Sequence, residues 1–173
     1  MLEKDFSFFD SGSLQSLNRL LVIAPYHDDE SIGAGCFIAD YNKRGGESYV
    51  KSVYSGESGI PDTDFKNAQK IRKQELSQAA KLLGTVHNYG LTFADRCTAY
   101  QFDITKALIP LMRKIKPGIV IILHMKERDP EHVITVKVTR EAVWLSTTKI
   151  FPELGRSCPP IKPLFWLRSV DPD

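Results

Sequence analysis

Two short stretches carry most of the chemistry in this chain. His27, Asp28, Asp29 and Glu30 stand together in APYHDDESIGAG. His124, Glu127, Asp129, Glu131 and His132 fall within nine residues of one another, in HMKERDPEH. Crowded carboxylates repel, and burying them is costly unless a cation or a hydrogen-bond donor compensates. Imidazole with carboxylate suits Zn²⁺, and a catalytic zinc commonly takes three protein ligands and one water. The alternative for the first stretch is helix capping, for which one acid and one serine suffice. For the second, His124 would merely end a strand and His132 would be a solvated helix residue. His87, far from both stretches, reads as structural.

Each stretch directly follows an apolar run. Residues 20–25, LLVIAP, and 119–123, IVIIL, read as strands buried on both faces, being continuous rather than alternating. Residues 48–54 predict another strand and 86–91 a short one. Helical patterns cover 31–44, 64–83, about 99–115 with a break or kink at Pro110, and about 130–147. In the first helix Ile32, Cys36, Ala39 and Tyr41 predict the inner face. In the second, Ile71, Leu76, Ala79, Ala80 and Leu83 form the stripe, closed by Gly84. The tail from Phe151 to Asp173 holds an edge-strand candidate at LFWLR. Strand and helix alternate throughout, so the expected fold is α/β, a Rossmann-like three-layer sandwich with a mostly parallel sheet. Ligands of such sheets sit beyond the carboxyl ends of the strands, where both polar stretches fall.

The 173 residues make one domain the simplest expectation, 1–173. A net charge of +2 is too small to argue for nucleic acid or a membrane surface. No run approaches the roughly 20 apolar residues of a membrane helix, and the first residues lack the apolar core of a leader, so the expected location is cytoplasmic. Three scattered cysteines, Cys36, Cys97 and Cys158, argue for reduced thiols rather than a disulfide framework. Cys36 reads as a small buried hydrophobe.

Five segments, in order, resemble the motifs of the PIG-L/LmbE-like family of zinc-dependent N-acetylglucosamine deacetylases. DDESIGAG resembles the second half of its first motif. YSGE at 54–57, the Arg-x-x-Glu helix IRKQELSQAAKLLG at 71–84, LTFAD at 91–95 and RDPEH at 128–132 resemble the others. The resemblance covers about residues 20–145. It implies hydrolysis of an N-acetyl group on an amino sugar conjugate, with Zn²⁺ as cofactor and a small-molecule partner. Asp28 matches the general base, Asp29 and His132 match zinc ligands, and Arg72 and Asp95 match positions near the sugar. A homo-oligomer is admitted as a further expectation.

The chain also departs from the pattern. Tyr26 stands where the family has a ligand histidine, and His27 where it has proline. Asp129 replaces a histidine linked to oxyanion stabilisation or protonation of the leaving amine, and the closing region is short. In an extended segment His27 and Asp29 would share a face, so the expected metal set is His27, Asp29 and His132. His124 is the reserve third ligand and, with Asp129, a catalytic candidate in place of the lost acid. The non-catalytic alternative is a deacetylase-like scaffold that binds sugar or another partner. A receiver-like Mg²⁺ site fits the first acidic pair and leaves the second stretch without a place.

Overall fold

The computed structural model describes residues 19–87, 91, 93–96 and 101–166. Within them the elements run β1 (Arg19–Ala24), α1 (Asp29–Lys43), β2 (Glu47–Ser52), α2 (Phe65–Leu83), β3 (Val86–His87), α3 (Gln101–Ile115), β4 (Ile119–Leu123), α4 (Pro130–Thr147) and β5 (Lys162–Trp166). The sheet order is β3-β2-β1-β4-β5, and every described pairing is parallel. The fold is the expected α/β sandwich.

Parallel strands need crossovers, and the helices supply them on both faces. Along β1 the pleat sends alternate side chains to opposite layers. Leu21 and Ile23 enter a core with Leu108 and Met112 of α3 and Val138 and Ala142 of α4. Leu20 and Val22 enter a second core with Ala34 and Ile38 of α1 and Leu76 of α2. All five residues of β4 are buried. Each such aliphatic side chain contributes about 1.5–3 kcal/mol by leaving water.

The helix ends follow from local chemistry. Asp64 caps α2 by accepting the Asn67 N–H at 3.0 Å. Gly84 ends it in the left-handed region, at φ 68°. Asp129 caps α4 through the Glu131 N–H, with Pro130 in the first turn. Helix α4 carries many β-branched residues, yet it forms, because Thr135, Val136, Val138 and Thr139 are all buried and packing outweighs propensity. Helix α3 runs through Pro110 as one helix, so of the expected break or kink the break is absent.

Arg113 of α3 is the most heavily bonded side chain in the molecule's described part. It is buried and donates to the carbonyls of Leu145, Ser146, Thr148, Ile150, Phe151 and Gly155. A cation so placed satisfies the orphan carbonyls at the end of α4 and complements its dipole.

Several expectations need correction. Helix α1 buries Ala34, Gly35, Ile38 and Tyr41, while Ile32 is 64% exposed and Cys36 and Ala39 face solvent. A segment apolar all round does not fix its own rotation. Ile71 of α2 is likewise exposed. Strand β3 is two residues long within the described part, and residues 88–90 of the expected 86–91 lie outside it. The tail strand pairs with β4 from Lys162, two residues before the expected start, and Pro163 is tolerated there on an edge. Cys97, the His87 side chain and residues 1–18 also lie outside the described part.

Candidate functional site

Strand β1 has β2 on one side and β4 on the other, so crossovers leave it in both directions. Such a switch point opens a crevice beyond the carboxyl ends of the two diverging strands. The residues following β1 and β4 therefore meet although about a hundred positions separate them. They line a cleft of about 280 Å³, bounded by Tyr26, Asp28, Arg72, Asp95, Arg96, Asp129 and His132, with the glycines of the loop after β2.

The deepest part of the site is a carboxylate–imidazole–carboxylate row. Asp29 Oδ2 stands 3.4 Å from His132 Nε2, and His132 Nδ1 stands 3.2 Å from Glu127 Oε2. All three side chains are essentially buried, at 3% exposure or less. Asp29 Oδ2 also accepts the Tyr26 N–H at 3.1 Å. Asp28 is the N-cap residue of α1, but its side chain makes no capping bond. Neither acid is used as a simple helix cap.

Asp28 and Arg72 form the next layer. Their closest approach is 3.3 Å, from Arg72 Nη2 to Asp28 Oδ2, and the Asp28 side chain is half-exposed. Arg72 also donates to the Gly56 carbonyl at 3.0 Å and to Glu75 at 3.0 Å. Gly56 sits at φ 72°, and a Cβ there would lie 3.0 Å from Arg72 Nε. The glycine meets both demands, a left-handed backbone and close approach of the guanidinium. Asp95 accepts the N–H groups of Gly56 and Ser58, each at 2.8 Å. Its own N–H donates to Glu57. Arg72 and Asp95 thus line the cleft while fixing its loop.

The remaining group was not legible in the sequence. Tyr26 donates its hydroxyl to Glu131 Oε2. The other oxygen of Glu131 accepts the Arg96 N–H at 2.7 Å. The Arg96 guanidinium pairs with Asp129 at 3.1 Å and approaches Glu131 at 3.7 Å. Arg96 adopts φ 54°, uncommon for a residue with a side chain, and its bonds to Glu131 and Asp129 hold it there. Tyr26 and Asp129, two of the departures noted above, are joined in one network through Glu131 and Arg96. No local spacing signals a contact between Tyr26 and Glu131, and nothing around Arg96 sets it apart.

Electrostatics sharpen these roles. Burial and the bond to Glu131 push the Tyr26 phenol far above its ordinary range, so it stays neutral. Burial alone would raise Asp129, but the Glu131 N–H and the Arg96 guanidinium outweigh it and hold the carboxyl below its usual value. An ionised Asp129 is no proton donor at neutral pH. To replace the lost acid it would first have to take up a proton. His124, the other candidate for that role, lies elsewhere. It is not among the cleft residues, and its Nδ1 accepts the Lys126 N–H at 3.2 Å.

His27 also needs correction as a ligand. The chain turns after Ala24, and α1 begins at Asp29, so the extended geometry that would align His27 with Asp29 is absent. The imidazole is buried and bonded to the Tyr54 backbone, and burial lowers its pKa first, with Arg72 adding to the effect. Among the described residues no group of three or more His, Cys, Asp or Glu is arranged to hold a metal ion. Two residues do fit one. Ligand atoms on a tetrahedral zinc with bonds of about 2.0–2.1 Å lie about 3.3–3.4 Å apart. That is the separation of Asp29 Oδ2 and His132 Nε2. Glu127 behind Nδ1 is the outer carboxylate that typically orients a metal-binding imidazole.

A parallel sheet with an acid–imidazole row at its switch point defines an α/β protein with a buried polar site beside an open cleft. The profile of the PIG-L family, GlcNAc-PI de-N-acetylase, matches residues 21–143, and the chain belongs to that family. It is 27% identical over 107 residues to a diacetylchitobiose deacetylase of Thermococcus kodakarensis, covering 61% of this chain and 40% of that one. It is 25% identical over 169 residues to a 1D-myo-inositol 2-acetamido-2-deoxy-alpha-D-glucopyranoside deacetylase of Rhodococcus erythropolis, covering 81% and 58%. The chain thus spans about half the length of these relatives. The structure of the N,N'-diacetylchitobiose deacetylase of Pyrococcus horikoshii shares the fold with a TM-score of 0.81 at 24% identity, covering 92% of this chain and 64% of that one. Among the described residues no helix is long and apolar enough to cross a membrane.

Proposed function

We propose that this chain hydrolyses the N-acetyl group of an N-acetylglucosamine-type amino sugar conjugate. The observation that carries the reading is the half-exposed Asp28 carboxylate, set at the cleft beside Arg72 and next in sequence to the Asp29 of the buried row. Family membership and the two deacetylases it resembles support the same class of substrate.

Asp28 takes a proton from the attacking water as the new C–O bond forms. The C–N bond then breaks, and the proton passes from Asp28 to the departing amine, leaving acetate and a free amino sugar. Arg72 pairs with Asp28 and aims it, while Asp95 and Arg72 together hold the loop over the sugar. Zinc is the cofactor this reading carries, with Asp29 and His132 as its protein ligands. When bound it supplies a Lewis acid for the amide carbonyl. A cytoplasmic location belongs to the same reading, supported by free Cys36 and Cys158.

The test is release of acetate, or of a primary amine, from N-acetylglucosamine disaccharides and inositol conjugates with zinc supplied in excess. Turnover that disappears in Asp28→Asn supports the reading. Sugar binding by calorimetry without any acetate release overturns it in favour of the scaffold alternative.

A further inference from the structure

We infer that, among the described residues, two side chains, Asp29 and His132, hold the divalent cation, and that Tyr26 does not serve as a third ligand because its hydroxyl is committed to Glu131. The inference rests on the assignment of that pair under the proposed function, and it goes beyond it to the strength and exchange of the metal.

Three observations carry it. First, no His, Cys, Asp or Glu group of three or more among the described residues is arranged to hold a metal ion, so none of these residues completes the set. Second, Tyr26 is the residue beside the pair, with its ring centroid 5.6 Å from that of His132, and its hydroxyl is bonded to Glu131. Third, Glu131 is anchored independently of Tyr26. It is buried, accepts the Arg96 N–H, and its helix position is fixed by the Asp129 cap. Turning the hydroxyl towards the Asp29–His132 pair would leave a buried carboxylate oxygen with the Arg96 guanidinium at 3.7 Å as its remaining partner. The phenol is held away from the cation by a partner that cannot follow it.

Remaining coordination positions would belong to water or substrate. Loss of an outer-shell partner alone weakens metal binding about 10–100-fold. Loss of a direct ligand weakens it by at least the upper figure. The protein therefore exchanges zinc with its surroundings, and its activity follows the free zinc concentration.

The experiment is a competition titration of zinc chloride against a chromophoric chelator, using the full chain and no sugar. The wild-type protein is expected to lose its zinc on desalting. Tyr26→Phe is expected to bind zinc within threefold of wild type, because the hydroxyl it deletes is not a ligand. Tyr26→His is expected to bind at least about 100-fold more tightly, at one equivalent. Stoichiometric zinc retained by the wild type through desalting overturns the inference. So does a tenfold or greater weakening in Tyr26→Phe, which would make the phenol a ligand. Should Tyr26→His fail to fold, these two measurements still decide. Zinc affinity is read without turnover. Acetate release with excess zinc can therefore succeed while this inference fails, or the reverse.

Discussion

The network joining Tyr26, Glu131, Arg96 and Asp129 makes a prediction about coupling. Glu131→Gln keeps the shape of the side chain but removes its charge. One amide oxygen can still serve either the Arg96 N–H or the Tyr26 hydroxyl, while the amide NH₂ faces the other donor. A hydrogen bond to a charged group contributes about 1.5–3 kcal/mol, and Glu131 is 4% exposed, so the loss should reach about 2–3 kcal/mol. Tyr26→Phe removes the same bond from its other end, at a residue only partly buried, and should cost about 1–2 kcal/mol. Independent effects would sum in the double variant. Here they share a bond, so the double variant should fall short of the sum by about 1–2 kcal/mol. Urea unfolding followed by circular dichroism reads this directly. With a slope of about 2 kcal/mol per molar, the Glu131→Gln midpoint moves down by about 1–1.5 M. Additivity within about 0.5 kcal/mol would refute the network and reduce the two residues to neighbours.

Other consequences are equally open to measurement. Arg113→Met removes a buried cation bonded to six carbonyls and strands those of Thr148, Ile150 and Gly155, and thermal unfolding should show a loss of about 3–5 kcal/mol. Asp28→Asn should cut acetate release by about 10²–10⁴-fold with the unfolding midpoint unchanged, since its carboxylate is half-exposed. Arg72→Lys keeps the charge but not the planar fork that spans Asp28 and the Gly56 carbonyl, so kcat/KM should fall by about tenfold or more. His27 is buried with its pKa below the ordinary imidazole value, so the unfolded chain takes up its proton first. Its contribution to stability is complete above about pH 6.5 and is lost as pH falls from there towards the folded value. In His27→Gln, the pH dependence of the unfolding midpoint below about pH 6.5 should flatten.

How much of this was legible depended on the range of the signal. Local chemistry marked the helix ends at Asp64, Gly84 and Pro130, and continuous apolar runs marked β1 and β4 as buried on both faces. Their polar sequels, Asp29 and His132, could be placed at strand ends and hence near each other. The rotation of α1 was not legible, because Ile32, Ala34, Ile38 and Ala39 offer apolar residues on every side. His27 misled because the alternation that would align it with Asp29 holds only while the chain stays extended, and the turn begins before it. Tyr26 looked like a lost ligand. Its partner Glu131 lies on a different element, and only the crossing of β1 and β4 brings them together. Arg96 had no signal at all, since its place depends on two carboxylates at the start of α4.

The position of β1 between β2 and β4 has a kinetic consequence. Its two neighbours are made at very different moments: β2 follows after one short helix, whereas β4 lies about a hundred residues on. Closing so long a loop is slow relative to local steps, and chains rich in such pairings fold in milliseconds to seconds. The half of the chain from β1 to α2 can therefore gain helix and strand content early while the crevice between β1 and β4 does not yet exist. Asp29 meets His132 only when that late pairing forms. A probe that senses their meeting would report the end of assembly rather than its onset.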